Sequence, residues 1–277
     1  MQTLWFITNP NSGTATPQKC EALEAVFHDH GLILAGRTHF PDDDLPDGAA
    51  LDRAGIDTVV LFAGDGTINA ALCALADWDG GFLILPGGTM NLLAKGLHDS
   101  LDPATIIAAA RDRHQRVALP YIEAGDRRAF VGLIIGPAAS WFRAREQARS
   151  GSIGGIWRAA GAAWRRTFGR GVRVAGAPGL RSRYQAVMVR PDARQGLDVA
   201  GIDARDWRAI ADLGWTWVTG DWVAARAVDQ TPTDRLSVLG RKPVLALFDG
   251  EPQQLEPAAA ITGSVSRKVF LSTKSAP

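Results

Sequence analysis

The sequence predicts an α/β N-terminal domain with a mainly parallel sheet, followed by a C-terminal antiparallel, β-sandwich-like domain. Three observations carry this. Over the first 115 residues, strand-length apolar runs alternate with helical stretches, the pattern of a parallel sheet covered on both faces. After about residue 117 the texture changes to short β-like pieces separated by Gly, Pro and Asp. Charge divides at a similar place: residues 1–110 hold four Lys or Arg against fourteen Asp or Glu, while the whole chain is +1. The boundaries drawn are 1–117 and 118–262, with a segment of about 263–277 a candidate to return to the first domain.

The elements follow in order. Leu4-Trp5-Phe6-Ile7 is too short for a helix and stops at Asn9-Pro10-Asn11-Ser12-Gly13. Leu23, Val26, Phe27 and His30 share a helical face, and Gly31 supplies the stop. A second strand is expected over Leu32–Phe40, then an acidic, Pro-rich loop from Pro41 to Asp47. Asp57–Phe62 is β-branched and apolar, a buried central strand. It breaks at Ala63-Gly64-Asp65-Gly66-Thr67 into a helix reaching about Ala76. Phe82–Leu85 is another buried strand, ended by Pro86-Gly87-Gly88-Thr89 and a further helix, and Ala104–Arg113 closes the series. In the second half the β-like pieces are Arg128–Ile135, Tyr184–Val189, Trp215–Val223, Val244–Phe248 and Val269–Leu271, and only 141–168 looks helical.

Composition narrows the class. With 46% hydrophobic and 21% charged residues among 277, the chain is neither disordered nor fibrous. Two cysteines, Cys20 and Cys73, cannot form a disulfide framework and are expected in the core. No apolar run reaches the roughly 18 residues of a membrane span, and the first residues lack a basic leader, so a cytoplasmic protein is expected.

The chemistry lies in three Gly-containing loops, Asn9–Gly13, Ala63–Thr67 and Pro86–Asn91, each after an expected strand. Loops at the carboxyl ends of parallel strands meet in one crevice, where ligands bind. Glycines and the N-terminus of a following helix offer backbone N–H groups to phosphate. Neither GxxxxGK[ST] nor GxGxxG occurs, so backbone amides, hydroxyls (Ser12, Thr67, Thr89) and side-chain amides (Asn9, Asn69, Asn91) would hold it. An acidic half holding a polyphosphate calls for a bridging divalent cation such as Mg²⁺. Asp249-Gly250 between two apolar runs reads, by itself, as a hairpin turn.

Together these residues resemble the diacylglycerol kinase catalytic-domain superfamily, which includes bacterial lipid kinases and sphingosine kinases. Its NPxSG loop is matched by Asn9–Gly13, its GGDGTxNE loop by Ala63–Ala70, and its PxGTxND loop by Pro86–Leu92. Its DGE is matched by Asp249-Gly250-Glu251, and its LDV strand, near a structural Mg²⁺, by Leu197-Asp198-Val199. Ala63, Ala70 and Leu92 depart from the pattern, and the stretch before Leu197 is abbreviated.

The resemblance implies an ATP- and Mg²⁺-dependent kinase acting on a hydroxyl of a diacylglycerol-like or sphingoid lipid. It places nucleotide contacts at Asn9, Ser12, Gly13, Thr38, Gly64, Asp65, Gly66, Thr67, Asn69, Gly88 and Thr89, and a metal ligand at Asp198. Catalytic carboxylates are sought among Glu251, Asp249 and Asp65; Glu251 or Asp249 is favoured as base, with Asp65 organising Mg²⁺ and phosphate. The Arg- and Trp-rich stretch 141–173, with eight Arg and one Glu, suits peripheral contact with the inner face of a membrane. Its plainer reading is a helix packing Trp on its own domain, and nucleic acid is not expected as a partner. The rival functions are a catalytically lapsed nucleotide- or lipid-binding protein and a superfamily kinase for a soluble substrate such as NAD. Oligomeric state is not readable from the sequence.

Overall fold

The computed structural model describes residues 1–88, 91–136, 171–180, 183–192, 194–202 and 228–275. The expected strand Trp215–Val223, the helical reading of 141–168 and Thr89 lie outside the described residues. In chain order the elements are β1 (Thr3–Thr8), α1 (Pro17–Asp29), β2 (Ile33–His39), α2 (Gly48–Arg53), β3 (Thr58–Ala63), α3 (Asp65–Ala74), β4 (Gly81–Pro86), α4 (Leu92–Leu97), α5 (Pro103–Asp112) and β5 (Gln115–Val117). Next come β6 (Pro120–Ala124), β7 (Arg127–Ala129), β8 (Leu133–Ile135), β9 (Arg173–Ala175), β10 (Ala186–Pro191), β11 (Leu197–Ile202), β12 (Val228–Thr233), β13 (Arg235–Leu239), β14 (Val244–Phe248), β15 (Glu251–Leu255), β16 (Ala260–Val265) and β17 (Val269–Ser272).

The chain divides into two units, residues 1–119 with 265–277, and residues 120–264. The first holds a six-stranded sheet ordered β2-β1-β3-β4-β17-β5. Its strands are parallel except β5, which runs against β17. Every residue of β3 and β4 is buried, as continuous apolar runs at the centre of a covered sheet must be. Helix starts are set by local chemistry. Thr16 caps α1 ahead of Pro17, Asp47 accepts from the Ala50 N–H at 2.6 Å, and Asp102 caps α5 ahead of Pro103. The short helix α2 has no counterpart in the sequence reading, because six residues carry too little periodicity. On one face of the sheet Phe6 meets Phe27 edge-on at 5.2 Å and stacks near Phe62, and Leu83, Ile106 and Ile107 complete the core.

The second unit holds two sheets, ordered β12-β11-β10-β8-β14-β15 and β7-β6-β16-β13-β9. Ile122, Leu236, Val238 and Ile261 from the five-stranded sheet share one core with Ile135, Val187, Val199 and Phe248 from the six-stranded one. That is a sandwich, and the fold class agrees with the sequence reading. One segment differs. Arg128–Ile135 is not one strand; it breaks into β7 and β8 around Phe130–Gly132, whose amides turn to Asp249. Val269–Leu271, within the C-terminal segment expected as a candidate to return to the first domain, pairs with β4 in the first sheet.

Candidate active site

Within the first unit the three loops leave the carboxyl ends of β1, β3 and β4, and direct bonds interlock them. The Asn9 side-chain amide donates to Thr67 Oγ1 at 2.8 Å, joining the first loop to the second. Thr14 N–H donates to the Gly87 carbonyl at 3.1 Å, joining the first to the third. Asp65 accepts from the amides of Leu92 and Leu93 at 3.3 and 3.4 Å, joining the second loop to α4. Asn91 closes the third loop on itself: its side chain accepts from Gly88 N–H at 2.7 Å and donates to Gly88 O at 3.0 Å, with φ +51°.

Two glycines are dictated by these contacts. A Cβ on Gly88 would lie 2.6 Å from Gly64 Cα, and one on Gly87 would lie 2.5 Å from Ala63 N. The loops can therefore meet only if both positions lack a side chain. Ala63, by contrast, ends β3 in extended backbone and is fully buried, so its methyl group is accommodated. Ser12 approaches Gly64: its Oγ would be 3.5 Å from a Cβ there.

Asp65 opens α3, with Gly64 as N-cap and no side chain capping the helix, so the first-turn N–H groups face the loop crevice. Loss of water around the half-buried Asp65 carboxyl pushes its pKa above the ordinary aspartate value, against the pull of the Leu92 and Leu93 amides and of Lys95. Its bonds from the Leu92 and Leu93 amides are long, which leaves acceptor capacity toward a cation. Asn69, one turn into α3, accepts from the Cys73 thiol at 3.4 Å.

Other expected site residues are placed differently. Thr38 is buried, and its hydroxyl accepts from the Trp5 indole N–H at 3.0 Å. Trp5 lies across Gly36, where a Cβ would sit 2.3 Å from the ring. Thr38 thus takes part in the packing of β1 on β2. Asp198 is engaged by Arg190 at 3.1 Å and by the Gln230 side-chain amide at 2.6 Å. Asp198, the expected metal ligand, thus carries an ion pair on one oxygen and an amide on the other. Gly196 lies close to two carboxylates the sequence reading did not bring together: a Cβ there would be 3.8 Å from oxygens of both Asp192 and Asp234. Asp234 arrives from the turn between β12 and β13, which no local spacing reveals.

In the second unit, Asp249 and Gly250 form the hairpin turn between β14 and β15, both with positive φ. The Asp249 carboxylate is buried and accepts from three successive backbone amides, Phe130 at 2.8 Å, Val131 at 2.8 Å and Gly132 at 2.9 Å. Its own N–H returns a bond to Gly132 O at 3.0 Å. Asp249 thus anchors the β14–β15 turn to the link between β7 and β8. Glu251, first residue of β15, is exposed.

Comparison with known proteins agrees with this layout. Residues 3–119 match the family model described as the diacylglycerol kinase catalytic domain. Over those residues the first domain is similar to that family. A Citrobacter koseri protein named "Probable lipid kinase YegS-like" is 35% identical over 90 residues, covering 30% of this chain and 29% of that protein. A crystal structure of a diacylglycerol kinase from Bacillus anthracis superposes with a TM-score of 0.62 at 14% identity, covering 98% of this chain and 97% of that one. A second Bacillus anthracis structure gives 0.63 at 16% identity, with the same coverage. At such identity the structures speak for the fold, which they share along nearly the whole chain.

Proposed function

We propose that the protein is an ATP- and Mg²⁺-dependent lipid kinase, transferring the γ-phosphate to a hydroxyl of a diacylglycerol-like or sphingoid lipid. The observation that carries this reading is the interlocked set of three loops around Asp65 in a domain similar to the diacylglycerol kinase family. Phosphoryl transfer depends chiefly on positioning and charge neutralisation. Asn9, Ser12, Gly13 and the backbone of Gly64, Gly66, Thr67 and Gly88 would cradle the phosphates, with Asn69 beside them. Asp65, an acceptor-only group with spare capacity, fits Mg²⁺, which when bound neutralises charge between the phosphates. Glu251, exposed at the start of β15, is the base that takes or orients the hydroxyl proton, while Asp249 holds the turn that presents it. A structural cation in the second domain fits Asp192 and Asp234 better than Asp198.

The lipid is reached from the membrane surface, through the Arg- and Trp-rich stretch 141–173, of which residues 141–170 lie outside the described residues. Among the described residues no helix is long and apolar enough to cross a membrane.

The test is transfer of labelled γ-phosphate from Mg²⁺–ATP to a panel of diacylglycerol, monoacylglycerol, ceramide and sphingosine in mixed micelles, beside Glu251→Gln and Asp65→Asn. A labelled lipid that disappears in both variants supports the reading and names the substrate. ATP binding without label in any lipid overturns it in favour of a soluble acceptor or a lapsed kinase, for which Ala70 and Leu92 would then be the first positions to restore.

A further inference from the structure

The family match ends at residue 119, yet the first unit includes residues 265–277. This segment adds β17 between β4 and β5, and its side chains close on the far ends of the two helices that leave the glycine loops. Lys268 is buried, donates its ammonium to the Leu75 carbonyl at the C-cap of α3, and lies over the Phe82 ring at 5.1 Å. A cation at a helix C-terminus satisfies an orphan carbonyl and opposes the negative end of the helix dipole. Ser272 Oγ donates to the Leu97 carbonyl, the last of α4, at 2.7 Å, and Thr273 N–H donates to the same oxygen at 3.1 Å.

His98 completes the closure. Its Nε2 lies 2.9 Å from the Ile84 carbonyl in β4, which can only accept, so Nε2 carries the proton. Nδ1 is then the acceptor for the Thr273 hydroxyl at 2.9 Å. One imidazole thus ties the strand before the third loop to the C-terminal segment.

We propose that Lys268, Thr273 and His98 are positioning residues of the nucleotide site. They clamp the C-terminal ends of α3 and α4 and so fix where the N-terminal ends, with Gly64–Thr67 and Asn91–Leu93, present their groups. Helices α3 and α4 are only about 15 and 9 Å long. The loop bonds at their near ends fix their direction only when the far ends are also held, by Lys268 on Leu75 O, Ser272 and Thr273 on Leu97 O, and His98 on Ile84 O. The proposal rests on reading the three loops as the nucleotide site.

Lys268→Met, Lys268→Arg and Thr273→Val would be compared with a core control on α5, Ile106→Val, each at the same interval below its melting temperature. Thr273 is only half-buried, so its variant keeps the question open to test if Lys268→Met does not fold. Amide hydrogen exchange at Ile68, Leu92 and Leu93 is expected to rise about tenfold in Lys268→Met and Thr273→Val, with Lys268→Arg partly rescuing. Mg²⁺–ATP affinity by calorimetry is expected to weaken about tenfold, equal to about 1.4 kcal/mol. Exchange in both variants no different from the Ile106→Val control would overturn the proposal. Wild-type protein that binds no nucleotide would defeat the functional reading instead, while the exchange arm still decides whether the segment positions the loops.

Discussion

Asp249 shows how one residue can satisfy two sequence patterns while the structure favours one. Asp-Gly between apolar runs spells a type I′ turn, and the same letters belong to a kinase motif. The three backbone amides gathered on its carboxylate make it an anchor. Charge-assisted bonds of this kind are strong and costly to break when buried. Asp249→Asn is therefore expected to destabilise the second unit by about 3 kcal/mol, read from its urea midpoint. Glu251→Gln, being exposed, should leave that midpoint within about 0.5 kcal/mol while turnover is lost. The opposite pattern would assign the base role to Asp249. Thr38 was illegible for the converse reason: the glycine that admits the Trp5 ring lies two residues away on the same strand, and only pairing of β1 with β2 brings the indole to the hydroxyl.

His98 belongs to the same scale. Burial lowers its pKa from 6.5 to about 4, with Ile84 O and Asp99 pulling the other way. A histidine held neutral in the folded state and protonated in the unfolded state stabilises fully above pH 6.5, and this is lost as pH falls toward 4. The amount is on the order of 3 kcal/mol. Asp99 and Asp102, whose pKa values are lowered below 3.8, act only at more acid pH. Asp65, whose pKa is raised, acts with the opposite sign. Urea midpoints of wild type and His98→Asn should therefore converge between pH 6.5 and 4. A constant gap between them would show that the imidazole stays neutral in neither state or in both.

At the scale of elements, what the sequence displayed were long apolar runs and glycine loops. β3 and β4 are legible because a strand buried on both faces needs no alternation, and α1 because its apolar face repeats with helical spacing. Short strands such as β5, β9 and β13 were missed; three to five residues pair only through partners distant in sequence. The loops, by contrast, were legible one by one, and their interlock was not. It depends on Gly88 fitting against Gly64. Gly88→Ala forces a methyl group 2.6 Å from a backbone carbon, so the loops must part. The expected cost is about 1–3 kcal/mol of stability. The more telling readout is the loss of the melting-temperature rise expected of the wild type with Mg²⁺–ATP; a retained shift would mean that the loops bind phosphate without touching.

At the scale of the molecule, the charge division offers a test independent of the chemistry. The first 110 residues carry −10, so the remainder carries +11, and 141–173 alone holds eight Arg and one Glu. An acidic first domain is repelled by an anionic bilayer, while a basic aromatic stretch is drawn to it. The attraction is worth about 1 kcal/mol per Arg near the surface and fades within a Debye length. Replacing Arg158, Arg165 and Arg166 with Ala should weaken binding to vesicles rich in phosphatidylglycerol by up to about a hundredfold at low salt. Raising salt toward 0.5 M should narrow that difference, since it is electrostatic. Mg²⁺–ATP affinity should not change, because none of the three arginines lies in the first domain. Vesicle binding unaltered at low salt would assign the stretch to packing within its own domain. On the proposed function, a lipid substrate would then have to enter by another surface.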